Sequence, residues 1–256
     1  MTRPRNRCPF CREHGSSEED VFALWITEAV GGVGVFNFRG SHSRSKSGIR
    51  RFGVTTRAVC RPCNTGWLSR LEDTVKPLLT PVIQGKPHVW QTGNEQLAVG
   101  TWIFKTALTL SRSSLKMAEV PEEHFRYLWF HRRPPDSVRV SLGHYLPNSA
   151  DDLMVGRSHS ATIPAAELEA AGADCRGRNA YRYTFSIGNA IFQVYGYPGT
   201  KDQGIALSRG IEIDEDRYLE DVFREIWPLT IAPHEWPPRV GFNSAGLLDL
   251  TPEPID

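Results

Sequence analysis

Two Cys-x-x-Cys pairs constrain this chain more than any other feature: "CPFC" at Cys8 and Cys11, and "CRPC" at Cys60 and Cys63. Each pair presents two sulfurs from one tight turn. Two such turns brought together supply the four thiolates of a tetrahedral zinc site. Forty-eight residues separate the pairs, far more than a minimal zinc ribbon needs, so the insert must carry structure of its own. A site closed by four thiolates leaves no position open for water, so the expected Zn²⁺ is a structural staple and not a catalyst. Cys175, in "ADCRGRN", stands alone and reads as a bystander.

The setting of the cysteines favours metal over disulfides. No apolar run approaches the roughly 18 residues of a membrane span, and the start "MTRPRNRCPF" has basic residues with no apolar stretch behind them. CxxC pairs in a chain of this kind read as metal ligands in a reducing, cytoplasmic compartment, with no membrane partner.

Net charge is only +1, but it is unevenly spread. Residues 1–71 carry 12 Arg/Lys and 5 acids, a balance of +7, and residues 72–256 carry 18 against 24, a balance of −6. No acid occurs between Glu28 and Glu72, where Arg39, Arg44, Lys46, Arg50, Arg51 and Arg57 fall. Arginine predominates, which suits bidentate contact with phosphate. A solvated basic loop is the plain alternative; a polyanion-facing surface is favoured because the stretch lies between the two knuckles.

Periodicity divides the rest. "SSEEDVFALWITEAV" predicts a helix of about three turns, capped by Ser16 or Ser17 and opened by acids. Short strands are expected at 33–38 and 52–59, around a basic loop. A helix is predicted from Asn64 to about Ile83, kinked or broken at Pro77. Another spans about 94–112 and is apolar on more than one side, which places it in the core. "PEEHFRYLWF" predicts a short helix. "SVRVSL" alternates as a strand, "YRYTFSIGNAIFQVYGY" as a hairpin about Gly188-Asn189, and "RYLEDVFREIWP" predicts a last amphipathic helix ending at Pro228. Trp25 and Trp67 are expected to be core anchors.

The stretch "CPFC … SSEEDVFALWI … VCRPCNTGWLSRLED … LLTPVIQG" resembles the zinc-stapled HNH endonucleases of the ββα-metal superfamily. It is closer to a group of bacterial HNH-like proteins with the pattern CxxC, EHVxPxW, CxxCNxGWMSxLE. The resemblance covers about residues 8–112. It implies a treble-clef arrangement, with the first knuckle on a loop and the second at a helix start. It further implies a divalent cation, Mg²⁺ or Mn²⁺, at the scissile phosphate, held by Asn64 and an acid and served by a histidine base. Glu19-Asp20 align with the family's Glu-His pair, so this chain puts Asp20 where the base belongs. A carboxylate of ordinary pKa is a poor base at neutral pH, and His42, then His14, are the nearest histidines that could replace it. Plainer roles stand beside these: Asn64 as a helix cap, and Glu19 and Asp20 as complements to a helix dipole.

The expectation is therefore an α+β chain. A zinc-bound treble-clef, HNH-like module (1–90) packs on a helical and β-hairpin-containing accessory region with a Pro-rich tail (91–256). Its expected function is a metal-dependent endonuclease acting on DNA, with RNA possible, using Glu19, Asp20, Asn64 and His42. The alternative is a degenerate HNH fold that binds nucleic acid without cutting it.

Overall fold

A computed structural model describes residues 7–15, 17–31, 35–40, 46–50, 54–90, 92–113, 115, 117–148, 153–170, 179–201, 223–229, 234–236, 240–243 and 253–254. For 35–40, 46–50, 234–236, 240–243 and 253–254, and for 161, 167 and 170, the description is of the backbone.

The first knuckle leads into a short strand, β1 (Glu19–Asp20), and a short helix, α1 (Leu24–Ala29). The three-turn helix expected over this stretch is thus replaced in its first half by extended chain. The reason is tertiary: Glu19 and Asp20 pair antiparallel with Thr56 and Thr55 of β4 (Thr55–Thr56), and Val21 N–H donates to the Val54 carbonyl. Between them, β2 (Val35–Gly40) and β3 (Lys46–Arg50) form an antiparallel pair. β3 begins inside the stretch expected to be loop.

The second knuckle opens α2 (Arg61–Cys63), followed by a π-helical turn over Asn64–Leu68 and then α3 (Ser69–Ile83). The break in this helical run falls at Gly66 (φ −99°, ψ −106°), not at Pro77. Pro77 and Pro81 both lie within α3. The carbonyls they leave without an N–H, those of Asp73 and Pro77, belong to exposed residues that water can serve.

After β5 (His88–Trp90), α4 (Gly93–Ser111) starts with a reciprocal cap: Thr92 Oγ1 accepts from Glu95 N, and Glu95 Oε2 accepts from Thr92 N. Val99 to Leu110 are buried without interruption, as the absence of a polar face predicts. Then follow α5 (Glu122–His131), β6 (Val138–Leu146), β7 (Met154–Thr162), α6 (Ala165–Ala170), β8 (Asn179–Ile187), β9 (Ala190–Gly196), β10 (Phe223–Trp227), β11 (His234–Trp236), β12 (Val240–Asn243) and β13 (Glu253–Pro254).

Among the described residues nine strands make one sheet, in the order β13-β12-β6-β9-β8-β7-β2-β3. β10 shares the β6 edge with β12, pairing at Val140–Gly143 while β12 runs parallel at His144–Leu146. The predicted helix at the end of "RYLEDVFREIWP" is therefore strand over 223–227. Pairing with β6 satisfies its backbone and buries Phe223, Ile226 and Trp227. The expected hairpin at Gly188-Asn189 is present, in register from Tyr181↔Gly196 to Ile187↔Ala190.

Helix α4 lies between α3 and the sheet, and its Trp102 meets Phe192 edge to face at 6.0 Å. Buried residues from Cys8 to Trp227 form one hydrophobic cluster, which includes Trp25 and Trp67. The tip of the β8–β9 hairpin is tied to the end of α3, where Asn189 N–H donates to the Ile83 carbonyl at 2.8 Å. Gly188 (φ +56°) lies so close to Ile83 that a Cβ there would collide with it. The fold is mixed α and β, and among the described residues no helix is long and apolar enough to cross a membrane.

Candidate metal centre and its polar surroundings

The first knuckle is a hydrogen-bonded turn. Arg12 N–H donates to the Cys8 carbonyl at 2.9 Å, and Cys8 N–H donates to Glu13 at 3.0 Å. Closing it puts Arg12 in the left-handed region (φ 67°). Phe10, between the two cysteines, is buried edge-on against Trp67 at 5.3 Å and Phe125 at 5.4 Å. That aromatic contact carries the first knuckle onto the second, because Trp67 follows Cys63 by one helical turn. Asn64 N–H closes the second knuckle on the Cys60 carbonyl at 3.0 Å.

The result brings Cys8, Cys11, Cys60 and Cys63 together, with all four Sγ atoms within 4.8 Å of one another. Cys11 Sγ and Cys60 Sγ are 3.4 Å apart, well beyond disulfide bonding. A tetrahedron with Zn–S bonds of about 2.3 Å has S···S edges of roughly 3.8 Å, so the cluster brackets the spacing a zinc ion needs. Its electrostatics agree with that fit. A hydrogen bond from Cys63 holds the Cys8 thiol down at about 4, while the same contact and burial push Cys63 up. Burial raises Cys60 to about 11. Four sulfurs without a cation must divide protons unequally; a divalent ion accepts all four as thiolates. The cluster can therefore bind a metal ion such as zinc.

The residues expected to serve catalysis are placed as follows. Glu19 and Asp20 are neighbours on β1, so their side chains take opposite faces. Glu19 is buried and Asp20 is exposed. Glu19 Oε1 lies 3.9 Å from Lys105 Nζ, and Lys105 makes its closer contact, 2.7 Å, with Glu72 Oε1. Glu72 Oε2 also accepts from Trp25 Nε1 at 2.8 Å. This buried network joins α1, β1, α3 and α4. Burial raises Glu19 to about 6, against the pull of Lys105; Glu72, Asp20 and Cys8 add to the rise. Burial also penalises the Lys105 ammonium, but Glu72 and Glu19 overcome that and hold its pKa above the ordinary lysine value.

Asn64 does not cap a helix start, since Cys60 is the residue that precedes α2. Its side-chain Nδ2 instead donates to Ser17 Oγ at 3.2 Å and to the Glu18 carbonyl at 3.3 Å, so it pins the approach to β1 against the second knuckle. Arg57 is exposed and pairs with Glu18 at 3.2 Å. Arg39, Lys46 and Arg50 lie on the backbone of β2 and β3, at the end of the sheet. His14 is exposed beside the knuckle. His42, Arg44, Arg51 and Cys175 lie outside the described residues.

Two participants escaped the sequence reading. Lys105 sits in the middle of an apolar helix, and only a buried lysine among leucines and tryptophans hints at a paired charge. Arg132, in the left-handed conformation after α5, stacks its guanidinium over Trp67 at 4.4 Å, beside the metal cluster; no local signal marks it. Comparison with protein-family models, with curated proteins and with solved structures finds no match to this chain.

Proposed function

We propose that the chain is a zinc-stapled, HNH-like module that binds nucleic acid through its basic hairpin and does not cut it. The observation that carries this reading is the engagement of Glu19. The carboxylate that would hold a catalytic cation is buried on the Lys105 side of β1, away from Asp20. Asn64, the other expected cation ligand, spends its amide on Ser17 and Glu18. What supports nucleic acid as the ligand is the acid-free run from Ala29 to Leu71, with β2 and β3 at the sheet's end. Arg39, Arg44, Lys46, Arg50, Arg51 and Arg57 would contact backbone phosphates.

One observation favours a second reading, a metal-dependent nuclease. Glu18 and Asp20 are both exposed, and Asn64 reaches the Glu18 carbonyl, so a cation could be held on the solvent side of β1 by Asp20 and Asn64.

One experiment separates them. Purified protein is mixed with duplex DNA, single-stranded DNA and RNA, in Mg²⁺, Mn²⁺ or EDTA, alongside Asn64→Ala and a Lys46→Glu/Arg50→Glu variant. The binder gives a shifted, uncut band in every cation condition, weakened in the double variant. If all six side chains neutralise phosphates, log affinity falls with log salt at a slope of about −5.4 on duplex DNA. Cleavage that needs metal and Asn64 establishes the nuclease instead, and no shift with any nucleic acid overturns both readings.

A further inference from the structure

The large sheet has two faces of very different chemistry. Along β8 the odd-numbered side chains Tyr181, Tyr183, Phe185 and Ile187 are buried in the apolar core with the helices. The alternate side chains Arg182, Thr184 and Ser186 are buried as well, each less than a tenth exposed. A strand buried on both faces ordinarily reads apolar throughout. Here the second face, apolar at Ala180 and Ile191, is polar between them over Arg182, Thr184 and Ser186.

Register builds a compact group there. Arg157 of β7 lies opposite Thr184 of β8, which lies opposite Gln193 of β9; one row on, His159, Arg182 and Tyr195 are aligned in the same way. Among the described residues Arg182 donates to Tyr195 OH at 3.3 Å, and its buried Nε has no acceptor. His159 Nε2 is likewise buried without a partner. Burial, then the charges of Arg182 and Arg157, hold His159 down at about 4, so the imidazole is neutral in a positive field. Gln193 Nε2 makes only a long contact, 3.5 Å, to Thr184 Oγ1. Among the described residues no carboxylate stands within ion-pair distance of Arg182 or His159. Burying a guanidinium without a counter-charge is strongly unfavourable.

We propose that Arg157, His159, Arg182, Thr184 and Gln193 form a binding site for one small phosphate-class oxyanion. The Arg182 guanidinium fork, the Gln193 amide N–H and the Thr184 hydroxyl are the kinds of donor that a tetrahedral, multiply charged anion requires. The burial of Arg182, Thr184 and Gln193 suits free phosphate or the phosphoryl group of a small ester, and excludes the backbone of a duplex. The site is separate from the metal cluster, and its outer member Arg157 is in register with Arg39 of the basic hairpin.

The test is calorimetric titration of the full chain with inorganic phosphate and, separately, with glycerol phosphate. Saturable 1:1 binding of either probe is expected, and the tighter of the two identifies the source of the phosphoryl group. Arg182→Gln should weaken it about tenfold or more. Because that variant could fail to fold, the isosteric Gln193→Glu is measured in parallel. It places a carboxylate on the sheet face that buries Arg182, so it should abolish binding of the probe and raise the melting temperature in phosphate-free buffer. Absence of binding to both probes by the parent chain overturns the proposal. So does a Gln193→Glu variant that is less stable than the parent, because the Arg182 guanidinium would then already be neutralised.

Discussion

The Lys105 ammonium lies 2.7 Å from Glu72 Oε1 and is wholly out of water, on a helix whose other buried side chains are mostly apolar. Glu72 is the counter-ion that makes this burial tolerable, and Glu19, at 3.9 Å, is a second, weaker partner. The two acids should respond in opposite ways to neutralisation. Glu72→Gln leaves a buried cation poorly paired and should cost about 3 kcal/mol or more. Glu19→Gln should stabilise the protein at pH 8. Glu19 has a folded pKa of about 6 against an ordinary 4.5, so its charged form is disfavoured on folding by roughly 2 kcal/mol. The sign follows from proton binding: between pH 4.5 and 6 the folded chain holds the proton and the unfolded chain does not. Glu19 therefore makes stability fall as pH rises through this window, with the full penalty present above it. Urea denaturation at pH 5 and pH 8 checks both, and a destabilised Glu19→Gln at pH 8 would count against this account.

Removal of metal should loosen the amino-terminal knuckles first. Purified protein is expected to carry about one equivalent of zinc, by elemental analysis, and Cys60→Ser to carry far less. Chelation should release Phe10 from Trp67 and lower the melting temperature, and re-addition of zinc should release protons as the thiols ionise. Protein with full stability and no bound metal would remove the staple from the picture.

Asn64→Ala deletes two hydrogen bonds to the approach of β1. The expected loss is about 1–2 kcal/mol in chemical denaturation. Under the binding reading, affinity for nucleic acid is unchanged in this variant; a large loss of affinity with stability intact would mean that Asn64 meets the ligand directly.

Gly196 faces Tyr181 across the β8–β9 ladder, and a Cβ there would run into the tyrosine ring. That ring's hydroxyl is hydrogen-bonded to His124 Nδ1 at 2.7 Å, in a buried cluster that leaves little room to move. Gly196→Ala should therefore destabilise by about 1–3 kcal/mol through overpacking. A melting temperature equal to the parent's would show that the ring can shift aside.

Much of the architecture was legible where the signal is local. Paired cysteines two residues apart announce a knuckle, and Gly188-Asn189 between alternating runs announces a hairpin. The α4 helix was found to within a residue at each end, because its composition allows no other period. The stretch before α1 was not legible: acids after serines look like a helix start until Thr55 and Thr56 arrive to pair with them. Nor was 223–227, since "FREIW" carries too few residues to separate a strand from a helix, and the open edge of β6 decides it.

The sequence by itself determined the ligands and their spacing: four cysteines, a basic stretch with no acids, and the apolar periods of the main helices. These follow from bonds and turns between near neighbours. Only the tertiary structure decided that the cysteines meet, that Glu19 turns toward Lys105 while Asp20 turns outward, and that Arg182 is buried on a polar sheet face. Each of those depends on residues tens of positions apart, where register and packing, not local propensity, select the partner.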